Sequence, residues 1–172
     1  MSVPSPASPA GTSAVAGRAR RVRITLLITA AVLAVVDLVI KALAEAMLSK
    51  GATIDLGLVN LKLLYNTGVA FSLGDDLAPW LVIAATAAII LAMTWYAVST
   101  APTMSALSRA GAALVVGGGA GNLVDRLDGR GVVDYLHSGW FPTFNLADVF
   151  VTVGVALYIL GTLLGSKKQQ TA

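Results

Sequence analysis

Apolar residues fall in long unbroken runs separated by short polar stretches, not in the stripes of a soluble fold. The run from Ile24 to Leu48 exceeds the roughly 20 residues needed to cross a bilayer. Leu77 to Val98, Met104 to Leu123 and about Leu146 to Leu164 give three more spans. Trp80, Trp95 and Tyr96 flank the second run, where interfacial aromatics belong. Gly51 to Leu73 differs: polar residues interrupt it and glycines punctuate it, which predicts short strands on the membrane surface. The expected fold class is therefore membrane all-α, with four transmembrane helices and a small extracytoplasmic β element between helices 1 and 2.

The ends refine this picture. Residues 1–20 are rich in Ser, Pro, Ala and Gly and then in Arg, and are expected to form a disordered basic cytoplasmic tail. Residues 21–166 are expected to form a single four-helix transmembrane domain with extracytoplasmic segments 50–76 and 124–145. Residues 167–172 return to the cytoplasm. Arg18, Arg20, Arg21 and Arg23 precede the first run as they would in a signal peptide, but that run is too long and no small-residue cleavage site closes it. Arg18, Arg20, Arg21, Arg23, Arg109, Lys167 and Lys168 lie on the predicted inner side. Lys50, Lys62, Arg126 and Arg130 lie outside, so the balance places both termini in the cytoplasm.

Composition narrows the chemistry. Hydrophobic residues make up 56% of the chain and charged ones 12%, about half the charge of a soluble domain. There is no cysteine and one histidine, His137, so thiolate nucleophiles and multi-His metal sites are excluded. No cofactor or metal is expected. The net charge of +3 comes from residues at the ends of apolar runs, which suits topology and membrane lipids and not nucleic acid. A monomer is expected.

Ionisable groups at the edge of a span mark a site by default. They concentrate in Gly117 to Asp148, which carries Asn122, Asp125, Arg126, Asp134, Asn145 and Asp148. Two carboxylates brought together share a proton, so that Asp134 and Asp148 would supply one base for water and one acid for a scissile carbonyl. Structural readings compete. Asn145 and Asp148 have the spacing of a helix N-cap with its acidic partner. Asp125 and Arg126 read as a local ion pair closing the third helix, Asn122 as a helix-terminal polar residue, and His137 as an exposed loop residue. Asp37 and Lys41, four apart, read as a self-neutralising pair within the first helix. Asn66-Thr67-Gly68 reads as a turn. The glycines at 117–121 lack the Lys-Ser/Thr of a phosphate loop.

Together these segments resemble a known family. Asn66-Thr-Gly-Val-Ala-Phe71, Gly118-Gly-Ala-Gly-Asn122-Leu-Val-Asp125-Arg126, Gly131-Val-Val-Asp134-Tyr135 and Phe144-Asn145-Leu-Ala-Asp148 are similar, in order, to motifs of lipoprotein signal peptidase (signal peptidase II). With Asp37 and Lys41 the resemblance covers residues 37 to 148. It implies a four-span aspartic endopeptidase of the bacterial cytoplasmic membrane, active on its outer face. Asp134 and Asp148 would be the catalytic dyad. Asn66, Gly68, Asn122, Asp125, Arg126, Asn145, Asp37 and Lys41 would line or support the site. The implied substrates are prolipoproteins with a diacylglyceryl-modified lipobox cysteine, cut just before that cysteine. Tyr135 stands where Phe is usual, and Leu38 where Gln is frequent. Two alternatives differ in the residues they need: a Ser72–Lys62 peptidase, and a transporter or proton relay through Asp37, Lys41 and Asp148.

Overall fold

The computed structural model describes residues 9–67 and 78–170, with side chains over 13–67 and 78–165. Gly68 of the expected site, Ser72 of the alternative peptidase, and the side chains of Lys167 and Lys168 lie outside these residues. The elements run α1 (Pro9–Leu48), β1 (Thr53–Asp55), β2 (Asn60–Asn66), α2 (Pro79–Thr100), α3 (Ala106–Arg126), β3 (Val132–His137) and α4 (Leu146–Gln170).

Helix α1 starts at Pro9, well before the apolar run at Ile24. Proline suits a first helical turn, and the alanines that follow are strong helix formers. Among the described residues, three helices are long and apolar enough to cross a membrane. These are α1 from Ser13, α2, and α4 as far as Gly165, with mean hydropathies of 2.4, 2.1 and 2.0. Their outward faces expose large apolar side chains such as Ile28, Val32, Leu91, Ile159 and Leu163.

Helix α3 is built differently. It packs mainly against α4 and α1, and also against α2. Most of its residues from Gly111 to Gly121 are buried. Small side chains suffice there, because helix contacts and not lipid cover the surface, and close approach of backbones drives the packing. A Cβ at Gly111 would sit 2.5 Å from Gly154 O and from Tyr158 N on α4. One at Gly118 would lie 2.5 Å from Ala147 O, and one at Gly117 would lie 2.7 Å from Ala30 O on α1. The low hydropathy of this segment is thus a mark of its central position.

The β element is larger than expected. The sheet has the order β1-β2-β3, antiparallel throughout. Its third strand comes from between α3 and α4, so the sheet is not confined to the connection between helices 1 and 2. Val132 and Val133 supply buried β-branched residues on that strand, and they favour a pleated surface.

The glycine contacts distinguish two substitutions. Gly111→Ala is expected to destabilise the fold by about 1–3 kcal/mol through overpacking. Gly165, in α4, has nothing within 4 Å of an added Cβ. Gly165→Ala is expected to gain about 0.5–1 kcal/mol from reduced backbone entropy. Thermal unfolding in detergent checks both signs.

Candidate active site

The site lies where the sheet meets the ends of α1 and α3 and the start of α4. Strand pairing sets Asp134 opposite Leu64, and Asn66 opposite Val132. Asn66 and Asp134 are therefore diagonal neighbours on one face of the ladder. The Asn66 amide Nδ2 donates to Asp134 Oδ2 at 3.1 Å. Gly131, at φ +95°, would place a Cβ 2.6 Å from Asn66 O, so only glycine lets the chain reach β3 this close to β2.

Beyond β3 the chain turns back. Phe144 O accepts from Tyr135 N and Leu136 N, and Phe144 N donates to Leu136 O. This return delivers Asn145 to Asp134, where its Nδ2 donates to Asp134 Oδ1 at 2.7 Å. Asn145 also opens α4. Its Oδ1 accepts from Asp148 N at 3.0 Å, while Asp148 Oδ2 accepts from Asn145 N at 3.1 Å. That reciprocal pair is a capping box. The capping reading of Asp148 is thus correct, and it leaves Asp148 Oδ1 for the site, where it accepts from Asn122 Nδ2 at 2.9 Å.

Lys41 anchors these amides. Its Nζ lies 2.7 Å from Asp37 Oδ2, 2.8 Å from Asp125 Oδ2 and 2.7 Å from Asn122 Oδ1. An ammonium has three donors and no acceptor, so all three are used. The expected pairing of Asp37 with Lys41 holds. Asp125, expected to pair with Arg126, binds Lys41 and also accepts from Val133 N at 3.1 Å. Lys41 is itself buried. Asp37 Oδ1 accepts Ala147 N at 2.9 Å, tying α1 to the first turn of α4.

Donor logic settles the amide orientations. Lys41 can only donate, so Asn122 turns its oxygen to Lys41 and its NH2 to Asp148. The Asp148 N–H needs an acceptor, so Asn145 turns its oxygen there and its NH2 to Asp134. Asn145 Nδ2 also approaches Asn122 Oδ1 at 3.1 Å. Asp134 and Asp148 are thereby bridged through two side-chain amides. Asn122 is the central link between them, not merely a helix-end polar residue.

Asn66, Asn122, Arg126, Asp134 and Asp148 line one cavity of about 440 Å³, walled also by Phe141, Phe144 and Val151. Arg126 Nη1 donates to Asn122 O at 3.0 Å. Asp134 is only 1% exposed. Burial pushes its carboxyl up to about 6, and the nearby Asp148 charge adds to this. The hydrogen bonds from Asn66 and Asn145 and the Lys41 charge pull the other way. His137 lies on β3, not in a loop, with Nδ1 3.1 Å from Thr143 Oγ1.

Sequence reasoning passed over one cluster. Arg130 Nη1 donates to Glu45 Oε1 at 2.7 Å, Tyr65 OH donates to the same oxygen at 2.7 Å, and Arg130 also pairs with Asp128. The guanidinium carbon stands 5.3 Å from the centre of the Tyr65 ring. These contacts join the end of α1 to the strand that carries Asn66. Nothing in the local spacing announces them, because Glu45, Tyr65 and Arg130 are distant in sequence.

Comparisons with known proteins agree on a family. A family model described as Signal peptidase (SPase) II matches residues 29–164. A lipoprotein signal peptidase of Sinorhizobium fredii is 37% identical over 142 residues, covering 80% of this chain and 85% of that protein. One of Mesorhizobium japonicum is 37% identical over 109 residues, 61% of this chain and 64% of that protein. A solved bacterial membrane enzyme superposes with a TM-score of 0.68 at 22% identity, over 84% of this chain and 90% of its own, and shares the fold.

Removing the Lys41 ammonium would leave two buried carboxylates without their countercharge. Lys41→Met is expected to cost about 3–5 kcal/mol. Adding Asp37→Asn and Asp125→Asn should recover part of it. Thermal denaturation of the three variants in detergent measures both effects.

Proposed function

The chain belongs to the signal peptidase II family, and from that premise we propose that it is an aspartic endopeptidase whose dyad is Asp134 and Asp148. Its substrates are prolipoproteins, cut on the N-terminal side of the diacylglyceryl-modified cysteine. The observation that carries this reading is the amide bridge: Asn145 holds Asp134 and Asn122 holds Asp148 at the wall of a single cavity.

Two carboxyl groups coupled in this way share one proton in the working state. Burial favours the proton on Asp134. Asp148 then takes a proton from water as the oxygen attacks the scissile carbonyl carbon. Asp134 gives its proton to the carbonyl oxygen, which carries the developing charge. When the resulting gem-diol collapses, the C–N bond breaks, the leaving amine takes the proton held by Asp148, and one hydroxyl returns its proton to Asp134 as the carbonyl re-forms. Both groups therefore need side-chain donors that hold them without neutralising them, and Asn66, Asn122 and Asn145 serve that purpose. Arg126, on the same wall, is placed to bind a substrate carbonyl.

We place the active site at the outer face of the cytoplasmic membrane, with both termini inside and all four helices spanning. Charge supports this: Arg18, Arg20, Arg21 and Arg23 lie in the first half of α1, at the opposite end of the helix from Glu45 and the sheet. Exposed Trp140, stacked edge-on against Phe141 beside the cavity, suits the water–lipid interface. A lipid-anchored cysteine at that depth brings the scissile bond to the dyad and supplies positioning. Asp37, Lys41 and Asp125 support this site by anchoring Asn122 and the start of α4. That role accounts for them without an ion conduit.

Asp134→Asn and Asp148→Asn are each expected to lower kcat by at least about 10²-fold, the lower range of acid–base catalysis, with the fold retained. Cleavage of a lipidated precursor by purified variants measures this, and near-normal turnover removes that residue from the dyad. The pH dependence has a definite sign. The raised Asp134 carboxyl keeps its proton up to about 6, so kcat/KM of the free enzyme should fall as pH rises through that value. The Asn66 hydrogen bond favours the ionised form, so Asn66→Ala should move this limb to higher pH. A pH–rate profile of both proteins gives the answer.

A further inference from the structure

The end of the bundle away from the dyad carries a second built feature. Arg21, Thr25 and Thr29 are spaced four apart on α1 and line a groove of about 370 Å³ facing α3. The opposite wall is Ala106, Ala110 and Ala113, with Arg109 among them. Small residues on α3 leave the groove open where larger ones would close it. Leu26 and Val22 give it an apolar floor. From Arg21 to Thr29 it runs roughly 12 Å along the helix at 1.5 Å per residue. Arginines, hydroxyls and an apolar trough thus share one elongated space.

Charge at this end is unbalanced. The sequence has no Asp or Glu in residues 1–36, 77–124 or 149–172. The ion pairs among the described residues all lie at the other end, around Lys41 and Arg130. Arg109 spends one donor on Met104 O at 2.6 Å and Arg23 one on Val98 O at 3.1 Å. Each guanidinium has five N–H donors, so these bonds use only part of that capacity. The start of α3, which borders the groove, adds the positive end of its helix dipole.

We propose that this α1–α3 groove is a binding site for one anionic phospholipid, with the phosphate held between Arg21 and Arg109 and an acyl chain along Thr25, Thr29 and the alanine wall. A bilayer supplies this ligand at the depth the groove occupies. A guanidinium binds phosphate through paired donors, and an ammonium does so only as a point charge. The site is separate from the dyad and does not depend on the catalytic assignment.

The test is native mass spectrometry of the full chain in detergent, titrated with phosphatidylglycerol or with phosphatidylcholine of the same acyl chains. Each arginine near an anionic headgroup contributes about fivefold in affinity. The wild type should therefore retain phosphatidylglycerol about 25-fold better than phosphatidylcholine. Arg21→Ala/Arg109→Ala should abolish that preference. Arg21→Lys/Arg109→Lys should keep part of it, which separates loss of binding from loss of folding. Arg20→Ala, outside the groove, should leave it intact. Inorganic phosphate at matched concentration should not displace the lipid if the acyl chain is part of the ligand. Equal retention of the two lipids, an unaffected double alanine variant, or an equal effect of Arg20→Ala would each overturn the proposal. So would displacement by inorganic phosphate alone, which would make the site a free-anion site.

Discussion

A single buried ammonium sets the geometry around Asp134 and Asp148. Lys41 is 2% exposed, and its three donors end on Asp37, Asp125 and Asn122. An ion of this kind costs several kcal/mol to bury unless every contact is made. Here the cost is offset by two carboxylates and an amide oxygen, each within 2.8 Å. The orientation then propagates: the Asn122 oxygen faces Lys41, so its NH2 faces Asp148. The same ammonium joins α1 to α3 directly. Through Asp37 and Ala147 N it reaches α4, and through Asp125 and Val133 N it reaches β3. The site and the tertiary fold are held by one polar network.

That network requires a thin central helix. Gly121 faces Asp37, and a Cβ there would lie 2.5 Å from Asp37 Oδ2. The carboxylate could not then keep its place against Lys41. Gly118 likewise meets Ala147 O, on the turn whose N–H binds Asp37. The glycines of α3 lower its hydropathy below that of a lipid-facing span, yet they let polar side chains from three helices converge. The same composition that weakens the transmembrane signal of this segment makes the site possible.

Local periodicities were legible in the chain and long-range pairings were not. Asp37 and Lys41 meet because i and i+4 share a helix face. Asn145 and Asp148 meet because a capping box needs three residues' separation. By contrast, the Asp134–Asn66 contact needs β3 to cross over from beyond α3 and pair with β2. No short window contains that instruction. Asp125 shows the same limit: the ammonium it binds, Lys41, lies on another helix 84 positions away in sequence. The convergence of Asn66, Asn122, Asp134 and Asp148 followed from resemblance to a family, and the tertiary contacts supply its physical reason.

Asp148 divides its two oxygens between the α4 cap and the cavity. A carboxylate has two oxygens and room for about four donors. One oxygen closes the α4 cap, which fixes the side chain to its own backbone and removes rotamer freedom. The other meets Asn122 inside the cavity. A carboxylate held in this way is already ordered, so no further free energy is lost to organising it. Helix starts are also where the N–H groups of the first turn stabilise negative charge. The first turn of α4 is therefore a physically favourable position for a carboxylate beside the more deeply buried Asp134.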